Sequence, residues 1–258
     1  IVVGTGTGDN IITIEGNTSG LGYPNYNNKL GAAGRVVAEK PREREQAVCF
    51  GVPPYHTEMI GGALTAETNN AKLVEVLARR GMSDAAIAGI FGNLVGEVGL
   101  DKNGQLNFKV VESNKSVEEV KKGRVGVGLC QWTGSRGVSF LKYLEQKGYT
   151  LKTAPFEVHL EYLGVELDAK SWGYFDHPEY AAALKQHNSP NKNLRIRPDQ
   201  YKRIQDDIPY ATCVFCCCFE RPSTPRINVR IDGAYKALPY IHAYRASQRP
   251  NSDNTTEN

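Results

Sequence analysis

The pattern of apolar residues changes near residue 60 of the 258-residue chain, and this change limits the folds that the chain can adopt. Residues 1–54 are rich in glycine, asparagine and β-branched residues, with strand-like runs at 11–15, 34–39 and 46–52. From residue 69 onward, apolar residues recur at the spacing of helices. We therefore expect an α+β chain, with a β-rich N-terminal part, a linker over residues 55–68 and a mainly α-helical second part.

One helix of the second part is especially well marked. It begins at Ser83, a good N-cap residue, and ends near Gly99. Its apolar residues share one stripe, which we expect to be buried: Ile87, Ile90, Phe91 and Leu94. The same criteria predict helices that begin at Asn69 or Asn70, Ser116, Pro178 and Pro198, and others over residues 138–147 and 156–167.

A short β-hairpin is predicted after this helix, over residues 101–112. Lys102-Asn103-Gly104 has the composition of a turn, and apolar residues alternate from Leu106 to Val110. At the other end of the chain, residues 241–258 are polar, and we expect a disordered tail there.

Composition excludes several classes of protein. The net charge is only +3, with lysine and arginine scattered along the chain, so we expect no nucleic-acid partner. No apolar run reaches the roughly 18 residues that a membrane span needs. Four cysteines crowd into residues 213–218, where a disulfide framework is hard to satisfy. Cys213 and Cys216 have a metal-like spacing, but no second pair follows at a zinc-like distance, so we expect buried, reduced thiols and neither metal nor cofactor.

Glu97 is the candidate catalytic residue. It lies in the last turn of the well-marked helix, within Gly92-Asn-Leu-Val-Gly-Glu-Val-Gly-Leu100. Burial among such neighbours favours the protonated carboxyl group that a general acid needs. Gly96 and Gly99 would leave room beside it for a bulky substrate. The alternative is a glutamate that faces solvent, which is the commoner environment for a glutamate.

A glycine-rich loop over residues 123–137 holds the second candidate feature, Gln131 and Trp132. Aromatic faces pack on sugar rings, and an amide can both donate to and accept from sugar hydroxyl and N-acetyl groups. The loop is therefore a candidate sugar-binding surface. The alternative, a buried tryptophan beside a tight turn, stays equally open at this point.

Together these motifs resemble the phage tail lysozyme family, relatives of goose-type lysozymes and lytic transglycosylases. The resemblance is carried by Gly-Asn-Leu-x-x-Glu-x-Gly-Leu at 92–100 and Gly-x-Gly-Leu-x-Gln-Trp-Thr-Gly at 126–134. Residues 156–167 and Phe219-Glu-Arg-Pro222 resemble later parts of the family, so the likeness covers roughly residues 70–235. It implies a lysozyme-like glycosidase domain over residues 69–240.

The resemblance also implies a reaction. It is cleavage of the β-1,4 bond between N-acetylmuramic acid and N-acetylglucosamine, with Glu97 protonating the leaving oxygen. Gln131, Trp132 and Gly128 would line the sugar cleft. Glycosidases usually pair two carboxylates, and Asp101 and Glu112 are candidates, although each is more typical of a surface position.

The sequence is similar to lytic transglycosylases as well, which use one glutamate as acid and then as base and release an anhydro sugar. Hydrolysis and transglycosylation therefore both stay open.

Residues 1–54 resemble the C-terminal part of a CHAP domain, the cysteine-histidine amidohydrolase and peptidase module, at Ile14-Glu15-Gly16-Asn17-Thr18. In that family the glutamate and asparagine orient the catalytic histidine, which implies site roles for Glu15 and Asn17. The alternative is a polar turn after a strand. The nucleophilic cysteine and its histidine are not among these residues, and Cys49 follows the pair instead of preceding it. We expect the rest of this domain upstream.

These resemblances imply an enzyme of the phage virion tail that acts on bacterial peptidoglycan and has phage tail proteins as partners. A second possibility is a wall hydrolase of a bacterium or conjugative element, located outside the cell or at its wall. A third is a wall-binding or structural tail module that keeps the fold without catalysis.

Overall fold

The computed structural model describes residues 68–108, 117–190 and 192–248 in full, and residues 2–5, 10–18 and 36–43 by their backbone. The chain divides into two compact units, Ile1–Thr57 and Glu58–Asn258. The division falls within the stretch that the sequence assigns to a linker.

The described part of the first unit consists of three antiparallel strands, β1 (Val2–Thr5), β2 (Asn10–Thr18) and β3 (Val36–Glu43). Strand β2 is central and pairs with both neighbours. The predicted run at 11–15 lies within β2, and the run at 34–39 overlaps β3 from residue 36 onward. The third predicted run, at 46–52, lies outside the described residues.

The second unit is helical over most of its described length. Its α-helices, numbered here in chain order, are α1 (Asn69–Arg79), α2 (Asp84–Val98), α3 (Val117–Lys121), α4 (Gly134–Gln146), α5 (Phe156–Leu167), α6 (Pro178–Gln186), α7 (Pro198–Tyr201), α8 (Ile208–Phe215), α9 (Ile227–Tyr235) and α10 (Leu238–Ser247). A π-helical turn, Cys216–Glu220, continues α8 directly.

Local capping explains where several of these helices begin. The Ser83 hydroxyl accepts a hydrogen bond from the Ala86 N–H at 3.2 Å, which confirms the predicted N-cap of α2. Helix α1 is capped instead by Thr68, just before the two predicted asparagines. Gly81 follows α1 with φ +75°, a conformation that favours glycine at the end of a helix.

Helix α2 lies at the centre of the second unit, packed mainly against α8 and α9. The predicted apolar stripe is fully buried, but most of the other α2 residues are buried as well. Two glycines allow this close packing. A Cβ atom on Gly89 would lie 2.9 Å from the carbonyl carbon of Ala211, and one on Gly92 would lie 2.1 Å from the Arg230 oxygen. The sequence pattern therefore underestimated how deeply α2 is buried.

The predicted hairpin is wrong over residues 101–108, because this segment forms a tight turn. Leu100 and Leu106 make a single antiparallel bridge, with no strands on either side of it up to residue 108. Asn70 of α1 holds the turn: its amide nitrogen donates to Gly104 O at 2.9 Å, and its amide oxygen accepts from Leu106 N–H at 3.0 Å. Side-chain bonds to α1 thus replace a strand partner. Residues 109–112 lie outside the described residues.

The C-terminal boundary also needs correction, because α10 continues through residue 247. Ile241 is fully buried in the core, and Arg245 Nε donates to Asp84 Oδ1 at 2.9 Å. These contacts with distant parts of the chain order a segment whose polar composition suggested a tail.

The crowded cysteines are buried and unbridged, as predicted from their spacing. Burial raises the pKa of the Cys216 thiol to about 11 and also raises that of Cys213, so both are protonated near neutral pH. In the parts of the chain that the structure describes, no group of three or more His, Cys, Asp or Glu residues is arranged to hold a metal ion. Nor does any helix in those parts have the length and apolar character to span a membrane.

Candidate active site

Glu97 lies in the last turn of α2 with its side chain 16% exposed. Its Oε1 accepts a hydrogen bond from Arg230 Nη2 at 2.7 Å. Arg230 belongs to α9, and its side chain is only 3% exposed. The carboxyl group therefore does not face open solvent, and its setting is not the purely apolar one expected. Glu97 and Arg230 form an ion pair, and Glu97 is its less buried member.

Other hydrogen bonds hold the Arg230 guanidinium in place. Its Nε donates to Pro225 O at 2.7 Å, and its Nη1 donates to both the backbone and side-chain oxygens of Asn93 at 3.1 Å. Asn93 lies one turn before Glu97 on α2 and donates in turn to Thr212 O of α8 at 3.0 Å. Because moving the arginine would leave buried polar groups unpaired, this network fixes the direction of the Glu97 carboxyl group.

Of the two glycines beside Glu97, Gly96 differs from its predicted role, whereas Gly99 has open space beside it as expected. A Cβ atom on Gly96 would lie 2.8 Å from Arg230 Cγ, so the space at Gly96 holds the arginine stem and not a substrate. Gly99 ends α2 with φ +70°, and its would-be Cβ meets no described atom within 4 Å. Gly96 thus builds the ion pair, and Gly99 terminates the helix.

Glu220 is a second carboxyl group; together with Glu97, Arg136 and Arg230, whose charges act on it, it makes up the charged cluster. It ends the π-helical turn, and its Oε1 is buried without a hydrogen-bond partner among the described residues. Burial, followed by the negative charge of Glu97, raises the pKa of Glu220 to about 8, against the opposing effects of Arg136, Arg230 and a hydrogen bond with Cys130. Glu220 is therefore largely protonated near neutral pH.

Arg136, in the first turn of α4, forms the second ion pair of the cluster. Its Nη2 and Nε donate to the Glu166 carboxylate of α5 at 2.6 and 3.0 Å. Its Nη1 donates to Phe219 O at 3.0 Å, and the guanidinium lies 4.6 Å from the centre of the Phe219 ring. Arg136 thereby connects α5 to the residue that precedes Glu220.

The glycine-rich loop buries its tryptophan. Trp132 is 1% exposed and packs against Phe140 and Tyr162, with ring centroids 4.5 and 4.9 Å away, while its indole N–H donates to Glu166. Neither face of the indole is open to a sugar. The buried-core alternative therefore fits Trp132, and its predicted role in lining the cleft is corrected.

Gly128 and Gln131 shape the turn of this loop. A Cβ atom on Gly128, where φ is +72°, would lie 2.5 Å from the Trp132 ring, so glycine is needed here for packing and not for substrate. Gln131 adopts φ +47°, a strained conformation for a residue other than glycine, and donates from Nε2 to Gly128 O at 3.2 Å. Gln131 is only half-buried, and its substrate-binding role stays a prediction.

The second unit matches a known protein family. The family described as phage tail lysozyme matches residues 68–241, which is more than half of the chain. The chain belongs to the phage tail lysozyme family. No curated protein matches it. The matched region contains Glu97, Glu220, Arg136 and Arg230, so the whole charged cluster lies within the phage tail lysozyme domain.

Membership confirms the family resemblance of the second unit and indicates peptidoglycan-lytic activity. It is also consistent with the mainly helical fold that residues 68–248 show. The CHAP resemblance of residues 1–54 is not covered by the match and stays a prediction.

Three further predicted site residues, Asp101, Glu15 and Asn17, lie among the described residues. Asp101 accepts hydrogen bonds from the backbone N–H groups of Asn103 and Gln105, at 2.8 and 2.9 Å, so it caps its own turn outside the charged cluster of the phage tail lysozyme domain. Glu112 lies outside the described residues. Glu15 and Asn17 lie in β2 of the first unit, where Glu15 is the backbone partner of Ala38 in β3.

Sequence reasoning missed Glu220, Arg136 and Arg230. Arg230 carried a usable signal, because it lies at helical spacing between Ile227 and Ala234, which are both buried. An arginine on an apolar helix face needs a partner inside the protein. Glu220 directly follows a long apolar run and was noted only as part of the family resemblance.

Proposed function

We propose that the phage tail lysozyme domain cleaves the β-1,4 bond between N-acetylmuramic acid and N-acetylglucosamine, with Glu97 as the proton donor. The observation that carries this proposal is the placement of Glu97 at the end of the buried helix α2. Its carboxyl group is largely enclosed but not sealed, and it is aimed by an arginine that is itself fixed. Preorganised groups of this kind favour proton transfer to a bound substrate.

The arrangement suits a single carboxyl group that acts first as acid and then as base. Glu97 gives its proton to the glycosidic oxygen as the bond from that oxygen to the sugar carbon breaks. Arg230 then stabilises the carboxylate that is left, because its guanidinium lies 2.7 Å away. Attack by water gives hydrolysis, whereas attack by the sugar's own hydroxyl group gives an anhydro product. Gln131 is proposed to bind the substrate at the loop.

The proposed setting is the tail of a phage virion, where the enzyme opens the bacterial wall for infection. This rests on the family to which the second unit belongs. A wall hydrolase of a bacterium or conjugative element would use the same chemistry, and recovery of the complete reading frame distinguishes the two settings.

The experiment is clearance of a peptidoglycan suspension by the wild type, Glu97→Gln and the control Glu161→Gln. Glutamine keeps the size of the side chain and removes the acid. General acid catalysis contributes roughly 10²- to 10⁴-fold, so Glu97→Gln should clear at least about a hundred times more slowly. Glu161 is half-exposed and pairs with Lys147, so its variant should match the wild type. Equal clearance by Glu97→Gln and wild type would contradict the proposal.

A non-catalytic wall-binding module is the second candidate. It is favoured by one observation, the ion pair between Glu97 and Arg230, because a paired carboxylate is a stable structural element as well as a potential acid. If the wild type and Glu97→Gln both sediment with peptidoglycan and neither clears it, this candidate is correct.

We further propose that residues 1–54 are the C-terminal part of a CHAP domain, with Glu15 and Asn17 as residues that orient its histidine. The pattern Ile14-Glu15-Gly16-Asn17-Thr18 supports this. Because this stretch contains no histidine, residues 1–258 alone should release no new free amines from peptide-linked wall fragments. Release of amines would contradict the assignment.

A further inference from the structure

Two arginines at the start of helix α9 close a ring of contacts around the end of α2. Arg230 Nη2 donates to Glu97 Oε1 at 2.7 Å, and Arg230 Nε donates to Pro225 O at 2.7 Å. Arg226, which follows Pro225, donates from Nη2 to Gly96 O at 3.1 Å. Because Gly96 directly precedes Glu97, the ring returns to its starting point. The Arg226 guanidinium is therefore held at the last turn of α2, beside the residue proposed as the proton donor.

The backbone at Arg226 is strained and is held on both sides. Its φ is +45° and its ψ is +47°, a left-handed conformation that few residues other than glycine adopt. The carbonyl before it, Pro225 O, accepts from Arg230, and the N–H after it, that of Ile227, donates to Glu179 Oε2 at 3.1 Å. Strain of this kind persists where surrounding contacts hold it, and it is concentrated at functional sites such as ligand clamps. These contacts fix the point from which the Arg226 side chain extends.

Arg226 differs from the other two arginines of this region in its charge balance. Arg230 pairs with Glu97, and Arg136 pairs with Glu166. Arg226 instead donates to a neutral carbonyl oxygen, and it forms no ion pair with a carboxylate of the described residues. A guanidinium has five N–H donors, and the bond to α2 uses one of them. This exposed residue therefore keeps an unbalanced positive charge and further donors with which to bind an anion.

The substrate named in the proposed function carries an anion close to the bond that is cut. N-acetylmuramic acid bears a lactyl group, whose carboxyl group is either ionised or joined to a stem peptide that has carboxylates of its own. The adjacent N-acetylglucosamine is neutral. Arginine binds carboxylates through paired N–H···O bonds, so it is well suited to recognise this difference. Since consecutive Cα atoms are about 3.8 Å apart, an arginine bound at Gly96 is only one residue away from Glu97 along α2.

We propose that Arg226 is a specificity-determining residue of the phage tail lysozyme domain, which binds a carboxylate of the wall polymer while Glu97 faces the glycosidic bond. This proposal rests on the proposed function of Glu97. The carboxylate belongs either to the lactyl group of N-acetylmuramic acid or to the stem peptide attached to it. Binding of this carboxylate selects muramic acid over N-acetylglucosamine on one side of the cleaved bond.

The test measures kcat and KM on three soluble glycan fragments of equal length. The first fragment carries its stem peptides. The second has lost them, so each lactyl carboxylate is free. The third is made from the second by converting every lactyl carboxyl group to a neutral methylamide. The proteins are the full chain as wild type, Arg226→Gln, Arg226→Lys and the control Arg203→Gln.

Arg203 is a matched control because it is an exposed arginine that pairs with no carboxylate of the described residues. It follows Lys202, whose carbonyl oxygen accepts from the Ser83 N–H at 2.9 Å. Ser83 caps the start of α2, which at about 1.5 Å per residue lies roughly 20 Å from Glu97. Arg203→Gln therefore removes the same charge far from the proposed site and should match the wild type on every fragment.

Arg226→Gln should lower kcat/KM about tenfold or more on a fragment whose carboxylate it binds, chiefly by raising KM, because a hydrogen bond to a charged group is lost. Arg226→Lys should recover part of this loss, since lysine keeps the charge but not the paired donors. All four proteins should agree on the neutral fragment. A loss confined to the peptide-bearing fragment identifies the stem peptide as the source of the carboxylate, and a loss on the peptide-free fragment identifies the lactyl group.

Equal kcat/KM for Arg226→Gln and the wild type on both charged fragments would overturn the proposal. An equal loss on all three fragments would also overturn it, because a merely structural role at the end of α2 does not depend on the charge of the substrate. A wild type that cleaves none of the fragments would instead defeat the glycosidase assignment.

A calorimetric binding titration decides on Arg226 independently of cleavage. The wild type should bind at least one of the charged fragments about tenfold more tightly than Arg226→Gln does, and the two proteins should bind the neutral fragment equally. Equal Kd values for the two proteins on both charged fragments would overturn the proposal.

Discussion

His159 should make the second unit sensitive to acid. Its side chain is 2% exposed, and neither ring nitrogen has a hydrogen-bond partner among the described residues. It packs between Phe108 and Phe140, with ring centroids 5.2 and 5.1 Å away. A charged imidazole is poorly accommodated there, and burial lowers the pKa of His159 from 6.5 to about 4.

The direction of the effect follows from which state binds the proton first. Because the folded pKa is the lower one, the unfolded chain becomes protonated at His159 as the pH falls below about 6.5, while the folded chain does not. The stability that neutral His159 provides is complete above pH 6.5 and is lost as the pH falls toward 4. With about 1.4 kcal/mol per pKa unit, the loss is about 2.5 kcal/mol at pH 4.5.

The perturbation is His159→Leu, which removes the titrating group and keeps an apolar side chain of similar volume. Urea unfolding at pH 7 and pH 4.5, followed by tryptophan fluorescence, gives the change in unfolding free energy. Both tryptophans, Trp132 and Trp172, belong to the second unit and therefore monitor its unfolding. Relative to His159→Leu, the wild type should lose about 2.5 kcal/mol between the two pH values.

Comparison with His159→Leu cancels the pH dependence of stability that other groups contribute. One of these groups is Glu220, which stabilises the folded chain more as the pH falls. The exposed His242 supplies a control, and His242→Leu should follow the wild type. An equal pH dependence in the wild type and His159→Leu would refute the reasoning, because His159 would then not be the acid-sensitive group.

Two further predictions concern the packing and charge of the site. The pKa of Glu220 in the folded chain is raised to about 8, so protonated Glu220 stabilises the fold fully below the pKa of the unfolded chain, and this stabilisation is lost as the pH rises toward 8. At about pH 8, Glu220→Gln should therefore unfold at a higher urea concentration than the wild type. A higher urea midpoint for the wild type would contradict this prediction. Gly92→Ala places a Cβ atom 2.1 Å from Arg230 O, so it should lower the free energy of unfolding in urea titrations by about 1 to 3 kcal/mol or more. A Gly92→Ala variant as stable as the wild type would show that α2 and α9 are not in close contact.

Local interactions made much of the helical fold predictable. The Ser83 cap, the proline starts of α6 and α7, and the bounds of α5 depend on residues within one or two turns, and the structure has them where the sequence indicates. Helix α10 was missed because its order depends on Ile241 in the core and on an ion pair with Asp84. Contacts between residues so far apart in the sequence cannot be predicted from a local pattern.

The site was predictable only in part for a related reason. The position of Glu97 at the end of a buried helix follows from periodicity, but its arginine partner comes from 133 residues further along the chain. Gly96 looked like room for substrate because a sequence cannot show whether the space beside a glycine is empty or filled. Trp132 was ambiguous because an indole that stacks on sugar and one that fills a core occupy similar motifs. Glu220 stands out only once both arginines are known to be paired.

The central claim is that Glu97 donates the proton that breaks the glycan chain. The most direct measurement is mass spectrometry of the fragments released from purified peptidoglycan by the wild type and by Glu97→Gln. The wild type should release disaccharide-containing fragments with new ends, either reducing or anhydro, at N-acetylmuramic acid, and Glu97→Gln should release almost none. The same fragments at the same rate from both proteins would contradict the account.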